Sequence, residues 1–392
     1  MTGTGTSGTR TGPAAPPASA VFFGITTFSG VFLILSALSA LSAVAAGGVA
    51  LAQDPGAGGP DAVSRAAEAV RAALSGRPTA DGLGKATVYR PRWDFSPMSG
   101  ELEAIRDRAE DLSDAGRDGD ASDVWGRLAE GARAAYGKDD ARTLAAMSRR
   151  ARARMELGDA AFSERKAAGE AVKGLSAALG EGSAEALFAR ETSAFFVMAD
   201  GNPEDAGDLL RGALAASEAS LGPLHPQTLS LARTLGICTA LGGDVREALR
   251  ILGGLPRVSA EALGESHPET AESWKALGWV LEAAGDARGS AEALLQAYGA
   301  LSGAAGPEDP AVMMALGDLA EALLSAGEPM RAWELLESWL GSLPEGVRAP
   351  DAMLSGLAAA CGALGDHASA RSVCQGILAD MEVRGDNSGE VR

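Results

Sequence analysis

The chain has 392 residues, with 52 acidic side chains against 34 basic ones, which gives a net charge of −18 at neutral pH. A surface this acidic disfavours binding to nucleic-acid phosphates, and no long run of Lys or Arg offsets it. Three histidines leave little room for a metal site or a His-dependent triad, and three cysteines are too few for a disulfide scaffold. We therefore expect no enzymatic site, no cofactor, no metal and no nucleic-acid partner.

An uncharged apolar segment lies near the start of the chain. No charged residue occurs at positions 18–52, and residues 31–52 are long enough to cross a bilayer as a helix. The segment ends in small residues, with the A-x-A triplet Ala50-Leu51-Ala52 that precedes many cleavage sites. Residues 1–52 are thus expected to be a signal peptide or a signal anchor, with membrane contact only through residues 20–52. Both alternatives predict export: periplasmic, cell-surface or secreted, or anchored by a transmembrane helix with the rest outside.

Residues 53–98 are expected to form a connector. It begins with a Gly/Pro-rich stretch, and residues 61–76 have the pattern of one short Ala-rich helix. A motif of mixed basic and aromatic residues follows at 89–95, with the sequence YRPRWDF. Its aromatic side chains are expected either to dock on a partner or to pack on the first helix of the region that follows.

From residue 99 to about 385 the sequence is periodic, and a polar tail of residues 386–392 follows. A glycine with Ala or Ser five residues later recurs every 42 or 43 residues, the last interval being 38: Gly116, Gly158, Gly201, Gly243, Gly285, Gly327 and Gly365. A small residue stands seven positions before each glycine: Ala109, Ala151, Ala194, Gly236, Gly278, Ala320 and Ala358. Such self-similarity indicates a stack of one supersecondary unit. Because small residues let antiparallel helices approach closely, the unit is predicted to be a helical hairpin.

The predicted turns carry residues that end one helix and begin the next. Glycine adopts the left-handed conformation that closes a helix, and the Asp or Asn that follows it in five turns can cap the second helix. The segments between hairpins also recur, as LGPLHPQT at 221–228, LGESHPET at 263–270 and GPEDP at 306–310. Their prolines suit the first turn of a helix, and the rings of His225 and His267 can cap it.

These landmarks resemble the tetratricopeptide repeat in the 42-residue form known from kinesin light chains, over about residues 100–385. The resemblance implies an all-α, right-handed superhelical solenoid of about seven antiparallel hairpins. It also implies that the first helices line a concave groove, which in this family typically holds a peptide or another protein. Repeats three and four have Arg190 and Ala232 where the family has a large apolar residue, so we expect local irregularity there.

The resemblance further implies which side chains face the groove. The position after the small residue holds Phe195, Ile237 and Trp279 in three successive repeats, and Arg233 and Lys275 stand four residues before two of them. A peptide with an apolar residue and an acidic group would suit this border. Alternatively, the stripe packs against adjacent helices or against the connector.

The sequence thus predicts an exported or membrane-anchored scaffold that binds a protein or peptide of unknown identity in its groove. The alternative is a structural subunit that self-associates through the groove. The cysteines are expected to be small core residues, because Cys361 and Cys374 should lie about 10 Å apart along their hairpin, too far for a disulfide.

Overall fold

The computed structural model describes residues 90–384, apart from residues 94–96, 159–160, 345–346 and 348. This part of the chain contains 15 α-helices and no strand. None of the described helices is both long and apolar enough to cross a membrane.

The expected signal or anchor segment lies outside the described residues. The same holds for the short helix expected at residues 61–76 and for the polar tail. Export and membrane anchoring therefore stay predictions from the sequence.

The helices pair into seven hairpins in chain order. They are α1 (Gly100–Asp114) with α2 (Asp118–Tyr136), α3 (Ala141–Glu156) with α4 (Phe162–Leu179), α5 (Ala184–Ala199) with α6 (Pro203–Ser220), α7 (Pro226–Leu241) with α8 (Val245–Leu252) and α9 (Leu255–Leu263), α10 (Pro268–Ala283) with α11 (Ala287–Ser302), α12 (Pro310–Ser325) with α13 (Pro329–Ser342), and α14 (Asp351–Ala363) with α15 (His367–Arg384). The prediction of an all-α solenoid of helical hairpins is confirmed for the described residues.

Each predicted turn glycine closes its helix in the left-handed conformation, with φ between 67° and 91°. In the fourth turn the Gly243 N–H donates to the Ala240 carbonyl at 2.9 Å, and the Asp244 N–H donates to the Thr239 carbonyl at 3.1 Å. These two bonds form a Schellman motif, which satisfies carbonyl groups at the helix end. The Asp244 carboxylate then accepts the Glu247 N–H at 3.0 Å and caps α8, as predicted.

The caps of the other turns follow the prediction in part. Asp286 and Asp366 accept backbone N–H groups of Gly289 and Ser369, both at 2.9 Å. Asn202 makes no such bond through its side chain. The corresponding residue of the second turn lies outside the described residues.

The histidines of the linkers between hairpins are helix caps, as predicted. The Nδ1 atom of His225 accepts the Gln227 N–H at 3.2 Å, and that of His267 accepts the Glu269 N–H at 3.1 Å. Burial lowers the pKa of both rings, which favours the neutral form that can accept a hydrogen bond. Their position is explained by this structural role.

The small residues mark the closest approach of the paired helices. A Cβ atom added to Gly236 would lie 2.5 Å from Cγ of Leu252, and one added to Gly278 would lie 2.7 Å from Cγ of Leu294. Carbon atoms in ordinary contact are about 3.5–4.0 Å apart. The leucine of the second helix therefore occupies the space that a side chain at the glycine position would fill.

The fourth hairpin is irregular, but for a different reason from the one expected. Its second arm breaks after α8, at Gly253 and Gly254, and resumes as α9 with Pro256 in the first turn. Proline lacks an N–H and cannot continue the preceding helix. The third hairpin, where Arg190 also predicted irregularity, has two continuous helices.

Neighbouring hairpins contact each other through the second helix of one and the first helix of the next, and also through their first helices. Helix α5 contacts both α3 and α7, α7 contacts α10, and α12 contacts α14, whereas no two second helices of neighbouring hairpins make comparable contacts within the described residues. The first helices therefore line the inner side of the stack. We call their exposed side the inner face.

The cysteines bear out the core prediction in two positions of three. Cys238 and Cys361 are buried, and Cys374 is exposed on α15. All three are free thiols. The expectation of a core role for Cys374 is wrong, because none of the described helices covers that side of α15.

Candidate functional site

Three side chains of the predicted groove form a partly exposed stripe on the inner face. Phe195, Ile237 and Trp279 are all partly buried, on α5, α7 and α10. Cationic groups support two of the rings: the Arg152 guanidinium lies 4.0 Å from the centroid of Phe195, and the Lys275 Nζ lies 5.4 Å from that of Trp279. The stripe thus combines packing against the stack with an exposed edge.

The two cations expected to border the stripe are buried instead. Arg233 is 3% exposed, and its Nε donates to Oε1 of Glu269 at 2.8 Å. Lys275 is fully buried, with Nζ 3.1 Å from Oε1 of Glu272. The close packing of the first helices places both cations between hairpins, where carboxylates already neutralise them. An acidic peptide therefore finds no free cation at Arg233 or Lys275, which corrects the chemistry expected for this border.

Carboxylates outnumber cations in this buried layer. Glu191 is 1% exposed, and its Oε1 accepts the hydroxyls of Ser230 and Thr234 at 3.1 and 2.7 Å. Burial alone would lower the pKa of Arg233, but Glu269 and the nearby Glu191 raise it, so the guanidinium stays charged. Burial raises the pKa of Glu269 to about 7. The layer is short of positive charge.

The stripe ends in three carboxylates beyond Trp279. Burial raises the pKa of Asp318 to about 6 and that of Glu321 to about 7, and it also raises that of Glu282. Repulsion from Asp318 further raises the pKa of both glutamates, while a hydrogen bond from the Trp279 indole lowers that of Asp318. We call Glu282, Asp318 and Glu321 the acidic cluster.

The segment before α1 crosses the first hairpins. We call residues 90–93 the strap. The Trp93 side chain is 6% exposed and stacks on Trp125, with ring centroids 6.3 Å apart and an interplanar angle of 12°. The backbone N–H of Trp93 donates to Oε1 of Glu110 at 3.3 Å. Of the two predictions for this motif, packing on the repeats is therefore confirmed for Trp93, although its partner Trp125 lies on α2, the second helix.

Hydrogen bonds from arginine side chains connect the strap to α1 and α3. Arg90 donates to the Ser113 carbonyl at 2.7 Å and to Oε2 of Glu156 at 2.9 Å. Arg149 of α3 donates to the Pro91 carbonyl at 2.7 Å. The first two hairpins thus already hold one non-helical segment of their own chain.

The buried ion pairs were missed by the sequence reasoning, although a signal for them exists. Arg149 pairs with Glu185 on the next first helix, as Arg233 pairs with Glu269, and both pairs are 36 residues apart. A recurring Arg and Glu at one spacing within a 42-residue repeat indicates that they bridge neighbouring hairpins.

A stack of helical hairpins with an inner face lined by first helices defines an α-solenoid repeat protein. Residues 185–253, which span α5 to α8, match the sequence model of the tetratricopeptide repeat family. The resemblance to tetratricopeptide repeats is thereby confirmed. A search of curated proteins finds no significant match.

Several solved structures are similar to the chain. Tetratricopeptide-like repeats of a putative kinesin light chain from Podospora anserina share 24% identity, cover 52% of this chain and 97% of theirs, and have a TM-score of 0.47. BtubC from P. vanneervenii shares 16% identity over 59% of this chain and 93% of its own, with a TM-score of 0.49. Yeast Tom70 shares 13% identity over 93% of this chain and 83% of its own, with a TM-score of 0.45.

Proposed function

We propose that the protein is a scaffold that binds an extended segment of a partner protein on its inner face. The observation that carries the proposal is the strap, in which the first two hairpins hold a non-helical segment through the buried Trp93 ring and through hydrogen bonds of Arg90 and Arg149. The stripe of Phe195, Ile237 and Trp279 continues the same face over later hairpins and keeps an exposed edge.

We also propose that the scaffold works outside the cytoplasm, either secreted or anchored by an N-terminal transmembrane helix. The support is the uncharged segment at residues 31–52 and its A-x-A triplet. Sequencing the N-terminus of protein purified from its host tests this point, with a start at Gln53 expected after cleavage. A protein that is not processed and stays in the soluble fraction would refute export.

Photo-crosslinking in the native host tests the binding proposal. A photoreactive residue placed at Ile237 on the inner face should crosslink a partner protein. The matched control is the same residue at Leu295, which is 39% exposed on the second helix α11. Crosslinks at Leu295 alone, or at neither position, would refute binding on the inner face.

Self-association through the groove is the second candidate, and the strap supports it because a segment of one copy has the chemistry to dock on another. Light scattering of the purified protein separates the two candidates. A monomer with inner-face crosslinks to other proteins supports the scaffold, and an oligomer that dissociates in a Trp279→Ala variant supports assembly.

A further inference from the structure

The contacts of the strap shift from α1 to α3 in the upstream direction. The backbone N–H of Trp93 donates to Glu110 of α1 at 3.3 Å, and two residues upstream the Pro91 carbonyl accepts a hydrogen bond from Arg149 of α3 at 2.7 Å. Pro91 and Trp93 are buried while Arg92 between them is exposed, which is the alternation of an extended chain. The next first helix in the stack is α5, so a chain that keeps this direction crosses α5 next.

The upstream end of the strap is connected to the stripe by direct contacts. Arg90, the first described residue, donates to the Ser113 carbonyl of α1 at 2.7 Å and to Oε2 of Glu156 on α3 at 2.9 Å. The other carboxylate oxygen of Glu156 accepts Nε of Arg152 at 2.6 Å. The Arg152 guanidinium in turn lies 4.0 Å from the ring centroid of Phe195. The described chain therefore begins three contacts away from the first residue of the stripe.

Two buried polar atoms beside Phe195 have no hydrogen-bond partner in the described part of the chain. One is the donor Nη1 of Arg152, whose side chain belongs to a residue that is 4% exposed. The other is the acceptor Oε2 of Glu191, which is 1% exposed and lies one helical turn before Phe195 on α5. A charged group that is buried with an unsatisfied atom is costly, so both atoms call for a partner.

The strap is held by the same two kinds of group. An arginine of α3, Arg149, donates to its Pro91 carbonyl, and a glutamate of α1, Glu110, accepts its Trp93 N–H. Arg152 lies three residues after Arg149 and so shares its side of α3. An arginine donor and a glutamate acceptor thus recur one step further along the stack, where the described chain supplies neither a carbonyl nor an N–H.

We propose that residues 83–89, which lie outside the described residues, continue the strap across α5, α7 and α10 and cover the stripe. Tyr89 packs against Phe195, and Leu83 reaches Trp279. The carbonyl and N–H groups of this segment then supply the partners that the two unsatisfied atoms lack. The inference goes beyond the proposed function and does not depend on it, because it concerns a contact within one chain.

The spacing of apolar residues in this segment matches the stripe. Tyr89 lies two residues before the buried Pro91, so the alternation of the strap directs it toward the helices, and Leu83 has the same phase. Six residues of extended chain separate Leu83 from Tyr89 and span about 20 Å. Phe195 and Trp279 are two helix-to-helix steps apart, and steps of about 8–10 Å give the same distance.

Photo-crosslinking within purified full-length protein in mild detergent tests the contact. A photoreactive phenylalanine derivative in place of Tyr89 keeps an aromatic ring and should crosslink to α5, at or near Phe195, within a single chain. The matched control carries the same group in place of Arg92, which is exposed on the strap, and should not reach α5. Crosslinks from position 89 that join two copies, or that reach Phe162, which is 75% exposed at the start of α4, would overturn the inference.

Cysteine labelling gives a second readout. In a Cys374→Ser background, which removes the exposed native thiol, Ile237→Cys reports on the stripe and Leu295→Cys on the second helix α11. A stripe that is covered about 90% of the time reacts about 10-fold more slowly than an open one. Leu83→Ser/Tyr89→Ser should therefore speed labelling of Ile237→Cys by roughly this factor and leave Leu295→Cys unchanged.

The labelling outcomes separate this inference from the proposed function. An equal labelling rate at Ile237→Cys with and without the double substitution would overturn the inference, and so would an equal rise at Leu295→Cys, because that indicates general loosening of the stack. If labelling is unchanged while a photoreactive residue at Ile237 crosslinks a partner protein in the host, the inference fails and the proposed function stands.

Discussion

Adding one methyl group at Gly236 tests how the hairpins are held together. In a Gly236→Ala variant the new Cβ would lie 2.5, 2.7 and 2.9 Å from three atoms of Leu252, a side chain that is fully buried. The shortfall from normal contact is roughly 1 Å, so the helices must separate or the leucine must change rotamer. Overpacking of this kind costs about 1–3 kcal/mol.

The gain in helix propensity must be separated from that cost. Alanine is favoured over glycine inside a helix by about 1 kcal/mol. Gly212→Ala in α6 measures this gain alone, because an added Cβ there meets nothing within 4 Å. We therefore expect Gly212→Ala to stabilise the protein and Gly236→Ala to lie about 1–3 kcal/mol below it in free energy of unfolding. Urea melts of the two variants and the parent give the difference.

A double-mutant cycle identifies the contact. Leu252→Ala alone should cost about 2–5 kcal/mol because it leaves a cavity. In the double variant with Gly236→Ala the clash is gone and the methyl group fills part of the space. The two losses should therefore combine to less than their sum, with a coupling of about 1 kcal/mol or more. Additive losses, or a Gly236→Ala variant as stable as Gly212→Ala, would refute the proposed contact.

Three further predictions concern charge and the strap. Lys275→Ala leaves Glu272 buried without its cation, so it should cost about 3–5 kcal/mol in urea melts at low and high salt alike; a loss that disappears at high salt would contradict burial. Trp93→Ala should cost about 3–5 kcal/mol and speed hydrogen exchange in α1–α3, whereas unchanged exchange would mean that the strap is not anchored. The raised pKa of Glu321, about 7 against 4.5 unfolded, predicts a melting temperature that falls from pH 5 to 8, and Glu321→Gln should flatten this slope.

The sign of the pH effect follows from proton binding. Between about pH 4.5 and 7 the folded state holds a proton on Glu321 that the unfolded state has released. The contribution of this group to stability is therefore complete below the unfolded pKa and is lost as the pH rises through the folded one. Asp318, with a pKa of about 6, acts in the same direction. A melting temperature that rises over this range would contradict the burial of both groups.

The local features of the fold could be predicted from the sequence because each depends on residues near one another in the chain. A glycine such as Gly243 ends a helix through its own backbone conformation, and the ring of His225 caps a helix whose N–H lies two residues away. Small residues that recur at the same position of each repeat also indicated where the two helices of a hairpin approach each other. The repeat period then fixed how many hairpins the described chain would contain.

Only the tertiary structure decided the charge of the groove. Whether Arg233 and Lys275 reach solvent depends on how closely neighbouring first helices pack and on which carboxylates lie opposite them, and no local pattern states either distance. The packing buried both cations and paired them with Glu269 and Glu272. Burial is a property of the assembled stack, so the two cations that suggested an acidic ligand from the sequence are, once the chain is folded, enclosed and paired with carboxylates of their own chain.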